Sequence, residues 1–224
     1  MKNSFVCIIT HSLITWPKMQ RESYPLVYVV DDDALIRSTL CGILNTRYFR
    51  VLTFESGVQF LEAELKDEAC CILLDMTMPG LSGLDVLKKL KERQCSIPVI
   101  FLTGVNDIAL SVLAIKAGAE DFLSKPIQKE RLLASINKAH EQSLESKSSR
   151  TFLEDLRRSY AGLSDTELQI FNSVIRGRLN KQIAYDLGYA ERTIKAYRSS
   201  IMEKMKVDTL ADLVLCAIQL GVLE

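Results

Sequence analysis

The feature that most limits the fold of this chain is an alternation of short apolar runs with amphipathic helical patterns. Apolar runs occur at residues 26–30, 49–54, 70–74, 97–102 and 121–123. Helical spacing of apolar residues follows them at 34–45, 57–66, 83–93, 107–117 and from about residue 127. A strand without a polar face must be buried on both sides, and strands that alternate with helices form parallel sheets. The first part of the chain is therefore predicted to be α/β, with a five-stranded parallel sheet covered by helices on both faces.

The pattern changes after residue 140. Residues 140–162 are polar and serine-rich, with enough leucine to stay helical in places. Four helices and no strands are predicted beyond them, at 164–176, 180–187, 191–206 and 208–220. Gly177, Gly188 and Gly221 lie where helix C-caps fall, and Ser164 with Glu167 has the spacing of a capping box. The architecture expected is a doubly wound sheet of flavodoxin-like size followed by a small all-α domain.

The predicted domain boundaries follow from these patterns. We expect an N-terminal extension at 1–24, an α/β domain at 25–140, a helical linker at 141–160 and a helical domain at 161–224. The extension begins with one lysine and a mildly apolar stretch, as in a signal peptide, but polar residues interrupt it and no A-x-A-like cleavage site follows. We interpret it as a disordered arm or as the product of an upstream start codon.

Composition excludes several classes of protein. The six cysteines show no C-x-x-C spacing and there are only two histidines, so a zinc site is not expected. We expect the protein to occupy a reducing cytoplasm. No stretch reaches the ~18 apolar residues that a membrane-spanning helix needs, and we therefore expect no membrane partner. The formal net charge is zero, so any nucleic-acid-binding surface must be local.

Polar residues follow the predicted strands at one edge of the sheet. Asp31–Asp33 follow the first strand, Asp75 the third, Thr103 the fourth and Lys125 the fifth. Ligands of such sheets bind at the carboxyl ends of the strands. Clustered carboxylates suit Mg²⁺, an aspartate can accept a phosphoryl group, and lysine and threonine can bind its oxygens. At this point the acidic pair that matters could be Asp31 with Asp32 or Asp31 with Asp33.

Four motifs in this region, VYVVDDD, ILLDMTMPGLSGLDVL, VIFLTG and GAEDFLSKP, together resemble the receiver domain of two-component response regulators. The resemblance implies that Asp75 accepts a phosphoryl group from a cognate histidine kinase. It also implies a Mg²⁺ ion held by Asp31, Asp32, Asp75 and the backbone carbonyl of Thr77. This choice pairs Asp31 with Asp32, and leaves Asp33 to cap the following helix.

The same resemblance assigns the remaining site residues. Lys125 would pair with the phosphoryl group, Thr103 would move to bond it, and Phe122 would swing inward behind Thr103. In such domains the Lys125–Pro126 peptide bond is commonly cis. Gly80 and Gly83, in the loop beside the acceptor, could adopt positive φ. The receiver would assist its own phosphotransfer and dephosphorylation without being an enzyme in the ordinary sense.

A phosphatase of the haloacid-dehalogenase type is the rival interpretation of this region. Asp31-x-Asp33, Thr103 and Lys125 could be aligned with its motifs. However, Leu35 stands where that class has Thr or Val, no acidic pair follows Lys125 near a further strand end, and Asp75 would have no role. The residues therefore favour the receiver.

A helix-turn-helix is predicted in the C-terminal domain. The segment KQIAYDLG places Ala184 and Gly188 at the spacing at which two helices approach and turn. Ile194, Tyr197, Ile201 and Met205 recur at helical spacing and are expected to face inward. From Arg176 to Lys206 there are eight Lys/Arg against three acids, a local net charge of +5. Such a local basic surface is typical of contact with DNA phosphates.

The helical domain closely resembles the DNA-binding domain of LuxR/NarL-type regulators, especially the FixJ-like ones. The resemblance implies contacts in the major groove from Lys195, Ala196 and Ser199, and contacts mainly to phosphates from Lys181, Arg192, Thr193 and Arg198. Two residues depart from the family pattern: Ala190 replaces the usual Ser or Thr N-cap, and Tyr197 a usual histidine. The alternatives for this domain are a small helical bundle whose charges are merely solvated, or a module that binds another protein.

The combined prediction is a cytoplasmic transcription factor switched by phosphorylation. Phosphorylation would drive dimerisation or release the helical domain, so that two recognition helices reach two half-sites of double-stranded DNA. A homodimer is expected in the phosphorylated state, with RNA polymerase as a possible further partner. The alternative is a receiver that acts through protein contacts alone.

Overall fold

The computed structural model describes residues 24–44, 49–104 and 108–223. The chain divides into two compact units after Glu145. The predicted N-terminal extension lies almost wholly outside the described residues. None of the helices in the described ranges is both long and apolar enough to span a bilayer.

The first unit contains a five-stranded parallel sheet. Its strands are β1 (Leu26–Val30), β2 (Arg50–Phe54), β3 (Cys70–Asp75), β4 (Val99–Thr103) and β5 (Asp121–Ser124). They are hydrogen-bonded in the order β2-β1-β3-β4-β5. Every residue of β1, β3 and β4 is buried, as expected for strands covered on both faces. The prediction of a flavodoxin-like, doubly wound sheet is confirmed.

Five helices cover the two faces of this sheet. They are α1 (Ala34–Leu44), α2 (Gly57–Glu62), α3 (Gly83–Glu92), α4 (Ile108–Lys116) and α5 (Lys129–Ala161). Alternate strand residues point to opposite faces, which produces two separate cores. Tyr28 and Phe101 belong to the core that contains Phe60 of α2, whereas Val29 and Ile100 belong to the core that contains Leu132 of α5.

Helix α2 ends at Glu62 and is therefore four residues shorter than the predicted range 57–66. Ala63 has extended backbone angles, and its amide closes the last turn on the carbonyl of Phe60. Farther on, the amide of Lys66 donates a hydrogen bond to the hydroxyl of Tyr28 at 3.0 Å. This bond from a buried core side chain replaces the helical partner that the amide would otherwise have.

Helix α5 extends well past the end of the predicted α/β domain and includes the predicted linker. The hydroxyl of Ser143, a buried α5 residue, accepts a hydrogen bond from the amide of Cys70 at 3.1 Å. Because Cys70 begins β3, this bond fixes α5 against the start of the central strand. Leucines farther along the same helix, among them Leu156, contribute to the core of the second unit.

The second unit contains four further helices, α6 (Asp165–Ile175), α7 (Asn180–Leu187), α8 (Glu191–Met205) and α9 (Leu210–Gln219). Their bounds agree with the predicted ranges to within two residues. Ile194, Ile201 and Met205 of α8 are buried in the core, and Tyr197 lies at its margin. The predicted inward face of this helix is therefore confirmed.

Candidate functional site

Two acidic side chains meet at the carboxyl ends of β1 and β3, in the middle of the sheet. The register pairs Val30 of β1 with Leu74 of β3, so Asp31 and Asp75 follow at neighbouring positions. Both are nearly inaccessible to solvent, at 0% and 6% exposure. Two buried carboxylates this close require a cation or a proton.

Lys125 supplies that positive charge. Its Nζ donates hydrogen bonds to Oδ2 of Asp31 at 2.8 Å and to Oδ1 of Asp75 at 2.6 Å. The amide of Lys125 donates to the carbonyl of Thr103 at 2.7 Å, which fixes the start of the loop after β5. The following Lys125–Pro126 peptide is cis, as the resemblance implied. The structure thus brings together residues from three strand ends, of which the first and last, Asp31 and Lys125, lie 94 positions apart in sequence.

Burial and charge act in opposite directions on this group of residues. Burial raises the pKa of Asp75, and the hydrogen bonds and charge of Lys125 offset this only in part. For Lys125, burial by itself would lower the pKa, but the hydrogen bonds and charges of Asp31 and Asp75 outweigh it and the pKa is raised. Lys125 is therefore protonated at neutral pH and remains the counterion of both acids.

Asp32 completes a set of oxygen donors that could hold a metal ion. One carboxylate oxygen from each of Asp31, Asp32 and Asp75 lies within 4.8 Å of the others. Asp32 is exposed whereas the other two are buried, so the donors open on one side toward water. An all-oxygen set with room for water ligands fits Mg²⁺ better than it fits zinc, which prefers nitrogen and sulfur.

The loops around the acids are held by contacts of their own. Asp33 accepts a hydrogen bond from the amide of Leu35 at 2.8 Å and so caps α1, which confirms its predicted role. Its amide donates to Oδ1 of Asp31 at 2.9 Å. Just after β3, the amide of Thr77 donates to Oδ2 of Asp75 at 3.1 Å. Both buried carboxylates thus accept a backbone hydrogen bond as well as those from Lys125.

The predicted DNA-binding residues lie on α7 and α8 of the second unit. Four of the α8 residues, Arg192, Lys195, Ala196 and Ser199, are exposed, and so is Lys181 on α7. The other two, Thr193 and Arg198, are half-buried. Because Ile194 and Ile201 face the core, the exposed residues form the outer face of α8. This is the face that a recognition helix presents to the major groove.

Two protein families match the chain, each over one of these regions. The family described as "Response regulator receiver domain" matches residues 27–137, and "Bacterial regulatory proteins, luxR family" matches residues 161–217. The response regulator protein TmoT of Ectopseudomonas mendocina is 42% identical over 190 residues, which cover 84% of this chain and 86% of TmoT. The chain belongs to the response regulators with a luxR-family DNA-binding domain.

Other relatives agree with this assignment. The transcriptional regulatory protein FixJ of Bradyrhizobium diazoefficiens is 38% identical to this response regulator and aligns over 88% of its length and 97% of FixJ. Among solved structures, the response regulator StyR aligns with a TM-score of 0.79 at 38% identity, over 88% of this chain and all of StyR. Family membership excludes the phosphatase alternative for the acidic site.

Several contacts in the receiver were not predicted from the sequence. Nη1 of Arg37, on α1 of this response regulator, donates to the backbone carbonyl of Asp31 at 2.6 Å and so fixes the loop that follows β1.

Gly80 has the positive φ of 79° that was expected, but Gly83 is the first residue of α3 and does not. Gly83 is required for another reason, because a Cβ there would lie 2.3 Å from the carbonyl oxygen of Asp75.

The two predicted switch residues occupy neighbouring strands. Thr103 ends β4 and is buried at 3% exposure, while Phe122 on β5 is half-buried against the core that contains Phe101. The register pairs Thr103 with Ser124 and Phe101 with Phe122. Thr103 and Phe122 therefore lie two positions apart along the pairing of β4 with β5.

Three basic residues of the region 176–206 have polar partners that the sequence analysis did not predict. Arg198 donates to Oδ1 of Asn180 at 2.7 Å, Arg178 pairs with Asp186 at 2.6 Å, and Lys195 lies 3.7 Å from Glu191. The last of these pairs could have been anticipated, since Glu191 and Lys195 are four residues apart on one helix. Arg198 and Asn180 lie on different helices and Arg178 lies in the loop before α7, so these two pairs follow no local sequence pattern.

Proposed function

We propose that Asp75 of this response regulator accepts a phosphoryl group from a histidine kinase and that the modification controls DNA binding by the helical domain. The observation that carries the proposal is the buried Asp31–Lys125–Asp75 arrangement with Asp32 beside it. A structural ion pair does not need the exposed third carboxylate. A phosphoryl-transfer site does, because the metal ion must remain open to water and to phosphoryl oxygens.

The transfer would begin with attack of an Asp75 oxygen on the phosphorus of a kinase phosphohistidine. A P–O bond to Asp75 forms, the P–N bond breaks and the electron pair returns to the imidazole. Mg²⁺ held by Asp31, Asp32, Asp75 and the Thr77 carbonyl would neutralise the phosphoryl oxygens. Lys125 already contacts Asp75, and would exchange part of that contact for a phosphoryl oxygen. The same residues would assist hydrolysis of the acyl phosphate, so the receiver would limit the lifetime of its own signal.

Movement of Thr103 and Phe122 would report the modification. Thr103, at the end of β4, would donate a hydrogen bond to the phosphoryl group, and Phe122 would then fill the space behind it. Small displacements of packed side chains can shift a face of the domain between two arrangements. The outcome would be dimerisation of the receiver or release of the helical domain.

The helical domain would then bind double-stranded DNA as a homodimer. Lys195, Ala196 and Ser199 on the exposed face of α8 would contact base edges, and Lys181, Arg192, Thr193 and Arg198 mainly phosphates. The exposure of Lys181, Arg192, Lys195, Ala196 and Ser199 and the local charge of +5 support this assignment. A regulator of this kind would act in the cytoplasm, where it would meet both its kinase and RNA polymerase.

Phosphorylation of Asp75 can be tested with purified protein. Acetyl phosphate and Mg²⁺ should add the mass of one phosphoryl group to the wild-type chain, and beryllofluoride should change its oligomeric state in light scattering. Asp75→Asn should show neither effect. Asp33→Asn, which keeps a side-chain oxygen for the α1 cap, is the matched control and should behave as wild type. Equal modification of Asp75→Asn would overturn the assignment.

DNA binding can be tested separately by selecting duplexes from a random-sequence library with the beryllofluoride-treated chain. Lys195→Ala should weaken binding to the selected duplex by about tenfold and relax its sequence preference, since a good base contact contributes about 1–3 kcal/mol. Arg192→Ala should weaken binding to the selected and the scrambled duplex alike, and should reduce the dependence of affinity on salt concentration. If no sequence were enriched and binding did not depend on salt, the results would favour a helical domain that contacts only other proteins.

A further inference from the structure

The recognition helix α8 begins without the side-chain hydrogen bond that starts its neighbours. Ala190 is its N-cap residue, with extended backbone angles and no side-chain acceptor. In the same domain, α6 and α9 have complete capping boxes at Ser164 and Thr209. Helix α7 has half of one, since Gln182 Oε1 accepts from the amide of Leu179 at 2.9 Å.

An aromatic contact lies at the position where the cap is missing. Tyr189 directly precedes Ala190, and its ring lies against the ring of Tyr197, two turns into α8, with centroids 5.9 Å apart and planes inclined by 57°. Aromatic pairs in this range of distance and tilt attract each other beyond the area they bury. The contact differs from a hydrophobic staple, in which the residue before the N-cap packs against the fourth helical residue, because Tyr197 is the seventh residue of α8.

The backbone of Tyr189 is fixed to the preceding helix at the same time. Gly188 has the left-handed φ of 71°, the amide of Tyr189 donates to the carbonyl of Ala184 at 2.9 Å, and the amide of Gly188 donates to that of Tyr185. This is the hydrogen-bond pattern of a Schellman motif, which ends α7. Tyr189 is therefore held by α7 through its backbone and contacts α8 through its ring.

We infer that the Tyr189–Tyr197 pair positions the recognition helix, and so acts on DNA sequence preference, in place of the N-cap side chain that Ala190 lacks. The two effects are of similar size. An N-cap side chain and an aromatic pair each change an equilibrium constant by about fivefold. Because Tyr197 lies between Ala196 and Arg198, the pair also fixes the rotation of α8 about its axis, and so the direction in which the proposed base-contacting side chains point. The effect on DNA rests on the proposed function; the effect on the helix start does not.

Amide hydrogen exchange of the full chain tests the effect on the helix. The amides of Thr193 and Ile194, which donate to the carbonyl of Ala190, report opening of the first turn. Tyr189→Ala should speed their exchange by about fivefold relative to Ile201 on the same helix, and Tyr189→Phe should leave it unchanged. Adding Ala190→Ser to Tyr189→Ala should restore most of the protection, because the serine hydroxyl supplies the missing cap.

Tyr160→Ala is the matched control. Tyr160 contacts Phe171 at a centroid distance of 5.3 Å in the same core, but far in sequence from α8. Its removal should speed exchange throughout the domain without singling out Thr193 and Ile194. Uniform acceleration by Tyr189→Ala as well, or failure of Ala190→Ser to restore protection, would overturn the inference.

The effect on DNA has a separate readout. Tyr189→Ala should reduce the ratio of affinities for the selected and scrambled duplexes by about fivefold, Ala190→Ser should restore it in the double variant, and Tyr160→Ala should leave it unchanged. An unchanged ratio for Tyr189→Ala would overturn the positioning role. If the wild-type chain bound no DNA, the proposed function would fail, and the exchange data would still decide whether the pair fixes the start of α8.

Discussion

Gly83 shows how closely the backbone of the receiver approaches itself at the acidic site. A Cβ at this position would lie 2.3 Å from the carbonyl oxygen of Asp75, 2.9 Å from the ring of Phe101 and 3.1 Å from Cα of Met76. Two of these atoms belong to the backbone, so they cannot yield as the end of a flexible side chain can. The methyl group of an alanine would therefore displace Asp75 itself.

We expect Gly83→Ala to lower the free energy of unfolding by about 2 kcal/mol or more, as overpacking of a filled site does. It should also abolish modification by acetyl phosphate. Gly42, on an exposed part of α1, has no atom within 4 Å of a Cβ, so Gly42→Ala should stabilise the receiver by about 0.5–1 kcal/mol. Urea denaturation measures both variants. Unfolding midpoints that move in the same direction would contradict this account.

Single residues of the site differ in how far the sequence predicts them. Asp31, Asp75 and Lys125 were predictable because the ends of parallel strands meet at one edge, whatever the details of packing. The contact from Arg37 to the carbonyl of Asp31 was not, because it depends on the rotamer of a long side chain and on a backbone acceptor that every residue has. The role of Gly83 was predicted wrongly as a matter of φ, since close approach of backbone atoms has no local sequence pattern.

At the scale of elements, Glu167 joins two helices of the DNA-binding domain. It lies in the first turn of α6 and accepts hydrogen bonds from Ser200 at 2.9 Å and Lys204 at 2.6 Å, both on α8. It also completes the capping box with Ser164. The hydrogen bond from Lys204, followed by that from the Ser164 amide, lowers the pKa of Glu167 to about 2. The sequence predicted the cap but not the contacts to α8.

This shift predicts how the stability of the domain depends on pH. The folded pKa of Glu167 is below its ordinary value of 4.5, so its contribution is complete above that pH and is lost as pH falls toward about 2. Glu167→Gln should destabilise the domain by about 1–3 kcal/mol at pH 7. The difference from wild type should shrink below pH 4.5. Amide exchange of α6 and α8 across this range measures it, and a difference independent of pH would contradict the shift.

Most helix ends were predicted to within two residues, and the exceptions are the C-terminal ends of α2 and α5. Caps such as Ser164, Gly177 and Gly188 act within a few residues, so the sequence identifies them. The segment after α2 is bonded to the hydroxyl of Tyr28, which lies 38 residues from the Lys66 amide that donates to it. The continuity of α5 through the serine-rich segment was predicted only in part. Buried anchors such as Ser143 and Leu156 outweigh the weak helix preference of serine.

At the scale of the whole molecule, positive charge is concentrated in one region of a chain whose formal net charge is zero. Residues 176–206 have a net charge of +5. Part of that charge is compensated locally, since Asp186 pairs with Arg178 at 2.6 Å and both side chains are partly exposed. An exposed pair of this kind contributes little to folding, but it withholds one cation from DNA phosphates.

We therefore expect Asp186→Asn to raise affinity for DNA by about twofold to fivefold at low salt and to steepen the dependence of affinity on salt concentration. Band shifts over a series of KCl concentrations measure both effects. Asp208→Asn makes the same change in net charge just outside the basic region, and should have a smaller effect. Equal effects of the two substitutions would show that net charge, rather than release of Arg178, is responsible.

The pairing of β1 with β3 has a consequence for how folding of the receiver can be monitored. Asp31 meets Asp75 because Val30 lies opposite Leu74, and a slip of one residue would turn every β1 side chain to the other face of the sheet. A misaligned chain could keep its helix content and its compact dimensions while losing the acidic cluster. Binding of a divalent cation at this edge would therefore indicate that β1 and β3 are paired in the native register. A cation titration could detect a misaligned chain that circular dichroism, which measures helix content, would not distinguish from the native one.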